Sequence, residues 1–112
     1  GEVFNFGPSL IENHSVLDLV KSMSTYWKKV MWKDISNNSE RLYESGLLKL
    51  NCDKALAKLN WQSTLSFEET IRFTVEWYRE FYESYENISN KSLNQIEEYI
   101  SFAKTKSLSW AK

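Results

Sequence analysis

The sequence predicts an α+β chain that is mainly helical, with about four helices and two or three short strands. Three observations predict it. Apolar residues recur at i, i+3 and i+4 along the longer segments. Polar residues of the capping type stand just before those segments. The β-branched and aromatic runs are short and end in turn-forming residues, too brief to build an independent sheet.

Taken in order, Val3-Phe4-Asn5-Phe6 reads as a strand stopped by the Gly7-Pro8 turn. The chain opens inside that run, which reads as a cut point rather than a domain start. The first helix follows, with Val16, Leu19, Val20, Met23 and Trp27 on one face. Ser15, with Asp18 three residues on, forms its capping-box start. Val30-Met31-Trp32-Lys33-Asp34-Ile35 is a second strand candidate, broken by Ser36-Asn37-Asn38-Ser39. Leu47-Leu48-Lys49-Leu50 is a third extended piece. Asn51 then caps a brief helix whose buried side is Ala55, Leu56 and Leu59. Asn60 suits the left-handed conformation that ends helices.

The third helix starts at the capping box Ser66-Phe67-Glu68-Glu69. Phe67, Ile71, Thr74, Val75 and Tyr78 share a face, Phe81 and Tyr82 continue it, and Phe73 and Trp77 widen it. So broad an apolar arc predicts burial or packing on two sides. The polar stretch from Ser84 to Lys91 breaks it. A last helix runs from about Ser92 with Leu93, Ile96, Ile100 and Ala103 on one face. The tail is expected to fray or to dock through Trp110.

Composition narrows the function classes. At 112 residues the chain is one domain or part of one. Five Trp, six Tyr and six Phe are many for one small core, so they predict core building with rings left over for a contact surface. The net charge is −1 and Lys and Arg are scattered, which argues against nucleic acid. No apolar run is long enough to span a membrane. The amino terminus lacks the basic and apolar regions of a signal peptide. Cys52, the only cysteine, excludes an internal disulfide and fits a reducing, cytoplasmic compartment. With His14 the only histidine, a zinc site is not expected.

Catalytic groupings are scarce. There is no Gly-rich phosphate loop and no Ser–His–Asp set with a nucleophile turn. Glu68 and Glu69, adjacent in sequence, point about 100° apart on a helix and serve its amino-terminal dipole. Glu97-Glu98 reads as a solvated face. His14 reads as a surface turn residue, and Cys52 as a packing thiol, with a helix-activated thiol as the alternative. The loop Ser39-Glu40-Arg41-Leu42-Tyr43-Glu44-Ser45-Gly46 is the candidate binding element. Arg suits a diphosphate clamp and Tyr can stack on a base or bond a sugar. A solvated loop with a surface ion pair is the plain alternative.

Leu50-Asn51-Cys52-Asp53-Lys54-Ala55 followed by Leu59-Asn60-Trp61 resembles a signature of the extended short-chain dehydrogenase/reductase family. Thr74-Val75-Glu76-Trp77-Tyr78 after it, and Phe4-Asn5-Phe6-Gly7-Pro8 before it, resemble further family segments. The Cys after the capping residue, the Phe-Asn-Phe-Gly-Pro run and Gln95-Ile96-Glu97-Glu98-Tyr99 are most similar to the CDP-glucose 4,6-dehydratases of that family. The chain has Asn51 where the family has Asp, Asn60 where it has Gly, and Tyr43 where the subgroup has His.

The resemblance implies that residues 1–112 are the carboxyl-terminal, substrate-binding region of a two-domain enzyme. An NAD-binding Rossmann domain, with the Gly-rich turn and the Tyr-x-x-x-Lys pair, would lie in a part absent from this chain. The parent would dehydrate a CDP-glucose-like nucleotide-sugar, and the region alone would be inactive and hold no cofactor. Arg41, ten residues before Asn51, would meet the diphosphate, and Tyr43 and Glu44 would contact the ribose, base or sugar. Apolar surface would be left where the Rossmann domain belongs, with self-association as one way to cover it. Two rivals stand beside this reading. One is a stand-alone helical protein-interaction module that uses its surplus aromatics. The other is the same region of a nucleotide-sugar epimerase.

Overall fold

The computed structural model describes residues 1–8, 14–33 and 50–112. Helix starts are fixed locally by side chains. Ser15 opens α1 (Val16–Tyr26): its hydroxyl accepts the Asp18 amide at 3.2 Å, and the Asp18 carboxylate accepts the Ser15 amide at 2.9 Å. That hydrogen bond to the Ser15 amide holds the Asp18 carboxyl below its ordinary value. Ser66 and Glu69 repeat the arrangement at α3 (Phe67–Glu83), with bonds of 3.3 and 2.7 Å. Between them lies the short α2 (Asp53–Leu59). Its formal cap is Cys52, but the side chain that takes a free amide is Asn51, which accepts Asp53 N–H at 2.8 Å. Asn60 closes the helix at φ 51°, ψ 32°, the left-handed conformation its side chain tolerates.

The polar break after α3 is shorter than the sequence suggests. A 3-10 turn, Tyr85–Asn87, leads straight into α4 (Ile88–Thr105). Ser89, Asn90 and Ser92 sit inside the helix, and the Ser92 hydroxyl donates back to the Ile88 carbonyl at 2.9 Å instead of breaking the ladder.

Among the described residues the fold is mainly helical, with four α-helices and no strand. Residues 3–6 and 30–33, expected to be extended, have no ladder partner; residues 34–35 and 47–49 of the other candidates lie outside the described residues. The backbone of these runs is met in other ways. The Val3 carbonyl accepts Lys54 Nζ at 2.9 Å, and Val30 N–H donates to the Trp27 carbonyl at 2.9 Å.

Helix α3 is the centre, with α1 on one side and α4 on another. The broad apolar arc is thus packed on two sides. Ile71 and Val75 are fully buried there, and Ala103 of α4 joins them. Polar ties fix the α3–α4 pairing. Trp77 Nε1 donates to Ser92 Oγ at 2.9 Å, Gln95 Nε2 donates to the Phe73 carbonyl at 2.7 Å, and Arg72 pairs with Glu98 at 2.6 Å. Helix α1 is held by Ser22 donating to Glu68 at 2.6 Å and Trp27 Nε1 donating to Glu83 at 3.2 Å. His14, expected as a surface turn residue, stands just before α1 and is half-buried, its ring flat on Phe67 with 3.6 Å between centroids.

The second half of α3 departs from the expected buried face. Tyr78, Tyr82 and Tyr85 just beyond it are exposed, as are Leu93, Ile96 and Ile100 of α4. The tail docks. Ser107 turns at φ 53°, a second 3-10 turn (Ser109–Ala111) follows, Trp110 stacks on Tyr99 at 5.7 Å, and Ala111 is buried.

Candidate functional site

The amino-terminal segment before Pro8 and the segment from Leu50 to Trp61 meet at one place. Phe6 packs edge-on against Trp61, 5.0 Å between centroids and 79° between planes. Gly7 lies against Leu50 and Cys52, so close that an added Cβ would touch both side chains. Asn5 Nδ2 donates to the Asn51 carbonyl at 3.4 Å. The residues joined are 46 apart in sequence, so the junction is tertiary.

Charge holds the same junction from outside. Lys58 reaches the Glu2 carboxylate at 2.8 Å and Lys54 reaches it at 3.2 Å. Lys54 Nζ also sits 4.8 Å over the Phe4 ring. The hydrogen bond from Lys58, then that from Lys54, holds the Glu2 carboxyl below its ordinary range. These groups are solvent-exposed, so they position the amino-terminal segment and contribute little stability.

Two clefts open at the junction. One, of about 350 Å³, is bordered by Gly7, Cys52, Asp53, Leu56 and Trp61. The other, of about 290 Å³, lies between Phe6, Trp61, Phe67 and Tyr99, with Thr64 in its wall. Cys52 is half-buried, its thiol 3.5 Å from the Leu50 carbonyl as a weak donor.

Arg41, Tyr43 and Glu44, the residues assigned to substrate, lie outside the described residues. What is described is the segment that follows them in sequence. Leu50 packs on Gly7, and the Asn51 side chain is locked to Asp53 by two hydrogen bonds of 2.8 and 3.0 Å. Among the described residues no three His, Cys, Asp or Glu side chains gather as a metal site, and no helix is long and apolar enough to cross a membrane. Sequence reasoning did not single out Thr64, whose only sequence signal was the polar run Gln62-Ser63-Thr64 after the helix-closing Asn60, and it quoted Tyr99 only as the end of the Gln95–Tyr99 run, with no place in a cleft.

No family model matches the chain, and neither the curated proteins nor the solved structures compared with it give a match.

Proposed function

We propose that this chain is the substrate-binding region of a nucleotide-sugar 4,6-dehydratase acting on CDP-glucose or a close analogue. The NAD-binding Rossmann domain and its catalytic pair would belong to another part of the parent protein. The observation that carries the reading is the junction of Phe6 and Gly7 with Leu50, Cys52 and Trp61. Two segments, each singled out by its own resemblance and distant in sequence, pack on each other, which supports the reading. The shallow core supports it as well. The exposed apolar residues of α4 are surface that a second domain would cover.

Arg41 precedes this junction in sequence, and its guanidinium suits bidentate bonding to a diphosphate. Tyr43 and Glu44 follow it and would meet the ribose, base or sugar. The exposed Tyr78, Tyr82 and Tyr85 favour a second reading, a helical module that docks a protein through aromatic side chains.

The test is to read the coding sequence upstream of Gly1 and assay the complete protein. A Gly-rich strand–turn–helix, a Tyr-x-x-x-Lys pair and NAD-dependent loss of water from CDP-glucose are expected. Arg41→Ala should raise KM about tenfold or more, the worth of a charged hydrogen bond to phosphate, with a smaller effect on kcat. A complete protein without the Gly-rich turn and without turnover would leave the interaction module as the reading.

A further inference from the structure

A third cleft, where the end of α2 meets the tail, is polar, and the nucleotide-sugar reading does not use it. Six of the residues that line it, Asn60, Gln62, Lys106, Ser107, Ser109 and Trp110, are solvent-exposed and open to a ligand. At about 190 Å³ it is close to the roughly 150 Å³ cavity that accepts a benzene ring, so it fits one six-membered ring.

Two backbone features border it. Among the described residues, Asn60 at φ 51° and Ser107 at φ 53° are the only ones other than glycine in the left-handed region. Each lies where a helix ends, α2 and α4. Ser107 N–H donates to the Lys104 carbonyl at 2.9 Å, and Leu108 N–H donates to the Ala103 carbonyl at 3.0 Å. That closure usually takes glycine at the place of Ser107. A side chain in this conformation costs free energy that glycine would avoid. The chain keeps a polar side chain at both positions, and both residues line the same cleft. Residues held in such conformations gather at ligand sites.

The polar groups are neutral or already neutralised. Asn60 Nδ2 donates to Ser109 Oγ at 3.1 Å, which leaves Asn60 Oδ1 as an acceptor and the Ser109 hydroxyl proton as a donor. The side chains of Gln62 and Ser107 bond nothing among the described residues. Lys106, the one charged residue of the lining, is held by the Thr64 carbonyl and by Glu69 at 3.3 Å. Trp110 adds a half-exposed indole, stacked on Tyr99. Several uncharged donors and acceptors beside an aromatic ring match a sugar ring. Each sugar hydroxyl donates and accepts at once, and the C–H face of the ring is apolar enough to lie on an indole.

We propose that this cleft binds one neutral pyranose ring, with Trp110 against its C–H face and Asn60, Gln62, Ser107 and Ser109 sharing its hydroxyls. The ring is a free monosaccharide or one unit of a longer saccharide. The inference does not rest on the dehydratase reading, because the sugar is recognised without a nucleotide.

The methyl glycosides of glucose, galactose and mannose are the probes, with cyclohexanol and inorganic phosphate as controls. Titration of the chain with each is followed by Trp emission and by amide shifts in ¹H–¹⁵N spectra. At least one glycoside should saturate in the millimolar range expected of so small a ligand, with the largest shifts at Gln62 and from Ser107 to Trp110. Cyclohexanol, a ring with one hydroxyl, should bind about tenfold more weakly, and phosphate should not compete. The disaccharide of the best glycoside separates the two sources: tighter binding marks a unit of a longer saccharide, equal binding a free sugar. Ser107→Gly suits the left-handed backbone and removes the hydroxyl. It should weaken the glycoside about fivefold, the size of one neutral hydrogen bond, and leave the chain at least as stable in urea. Gln62→Ala, at an exposed side chain, should act alike on binding and keeps the test open if the glycine variant does not fold. Failure of all three glycosides to saturate, shifts centred elsewhere, cyclohexanol binding as tightly as the glycoside, displacement by phosphate, or unchanged affinity in both variants would each overturn the proposal.

Discussion

Single side chains decide where this chain starts and stops its helices. Ser15, Asn51, Asn60 and Ser66 each act within three residues of their own position, through bonds of 2.8 to 3.3 Å or a left-handed φ. Such devices are legible in a sequence because they need no distant partner. His14 was not, because its stacking on Phe67 joins residues 53 apart. Neither was Thr64, whose burial comes from the elements around it. A pH dependence belongs to this scale. The Ser66 amide, bonded to Glu69, holds that carboxyl below its ordinary value of 4.5, with Lys106 adding to the effect. Because the folded value is lowered, the stabilisation is complete above 4.5 and is lost as pH falls through the folded value. Urea unfolding from neutral pH to about pH 3 should therefore show a shallower acid loss in Glu69→Gln, which also costs about 0.3–1 kcal/mol at neutral pH. An acid slope equal to that of the parent chain would contradict this role.

At the scale of elements, α3 shows what periodicity can and cannot tell. Its apolar arc identified the helix and its two-sided packing correctly. It did not separate the first half, where Ile71 and Val75 are buried, from the second half, where Tyr78 is exposed and Tyr82 stands out at 69 % exposure. Start positions of α4 were misread for a related reason. Ser89, Asn90 and Lys91 look like a break before a helix from Ser92, yet α4 already starts at Ile88, and Ser92 bonds within it and serves Trp77 of α3. The short runs at 3–6 and 30–33 have β-type composition, but extended pairing depends on a partner strand that local sequence does not reveal. The energetic consequence is uneven. Ile71→Ala should cost about 2–4 kcal/mol in urea unfolding, from lost transfer and a residual cavity. Leu93→Gln on the exposed side of α4 should stay within about 0.5 kcal/mol. Comparable losses at both positions would mean that Leu93 is covered in solution.

For the whole molecule, stability is concentrated in the α3–α4 hairpin. Lys106, just past α4, reaches back to the Thr64 carbonyl and to Glu69 at 3.3 Å, tying the end of one helix to the start of the other. Helix α1 has no buried residue, and α2 has only Ala55. Native-state hydrogen exchange should then find the slowest amides around Ile71–Val75 and Ala103, with α1 and α2 opening earlier. Protection in α1 equal to that in α3 would refute this ordering. At the junction, the helix cap at Asn51 and the helix end at Asn60 were readable, because both act locally. The contact of Phe6 with Trp61 was not, since nothing local announces it.

The position of α2 has a consequence for cooperativity. A seven-residue helix has almost no independent tendency to form in water. Here its lysines hold Glu2 near one end of the chain, and its closing residue, Asn60, donates to Ser109 near the other at 3.1 Å. The helicity of α2 therefore rests on tertiary packing around its buried Ala55, with these ties setting only its position, which makes it a built-in reporter of whether the chain has assembled around it.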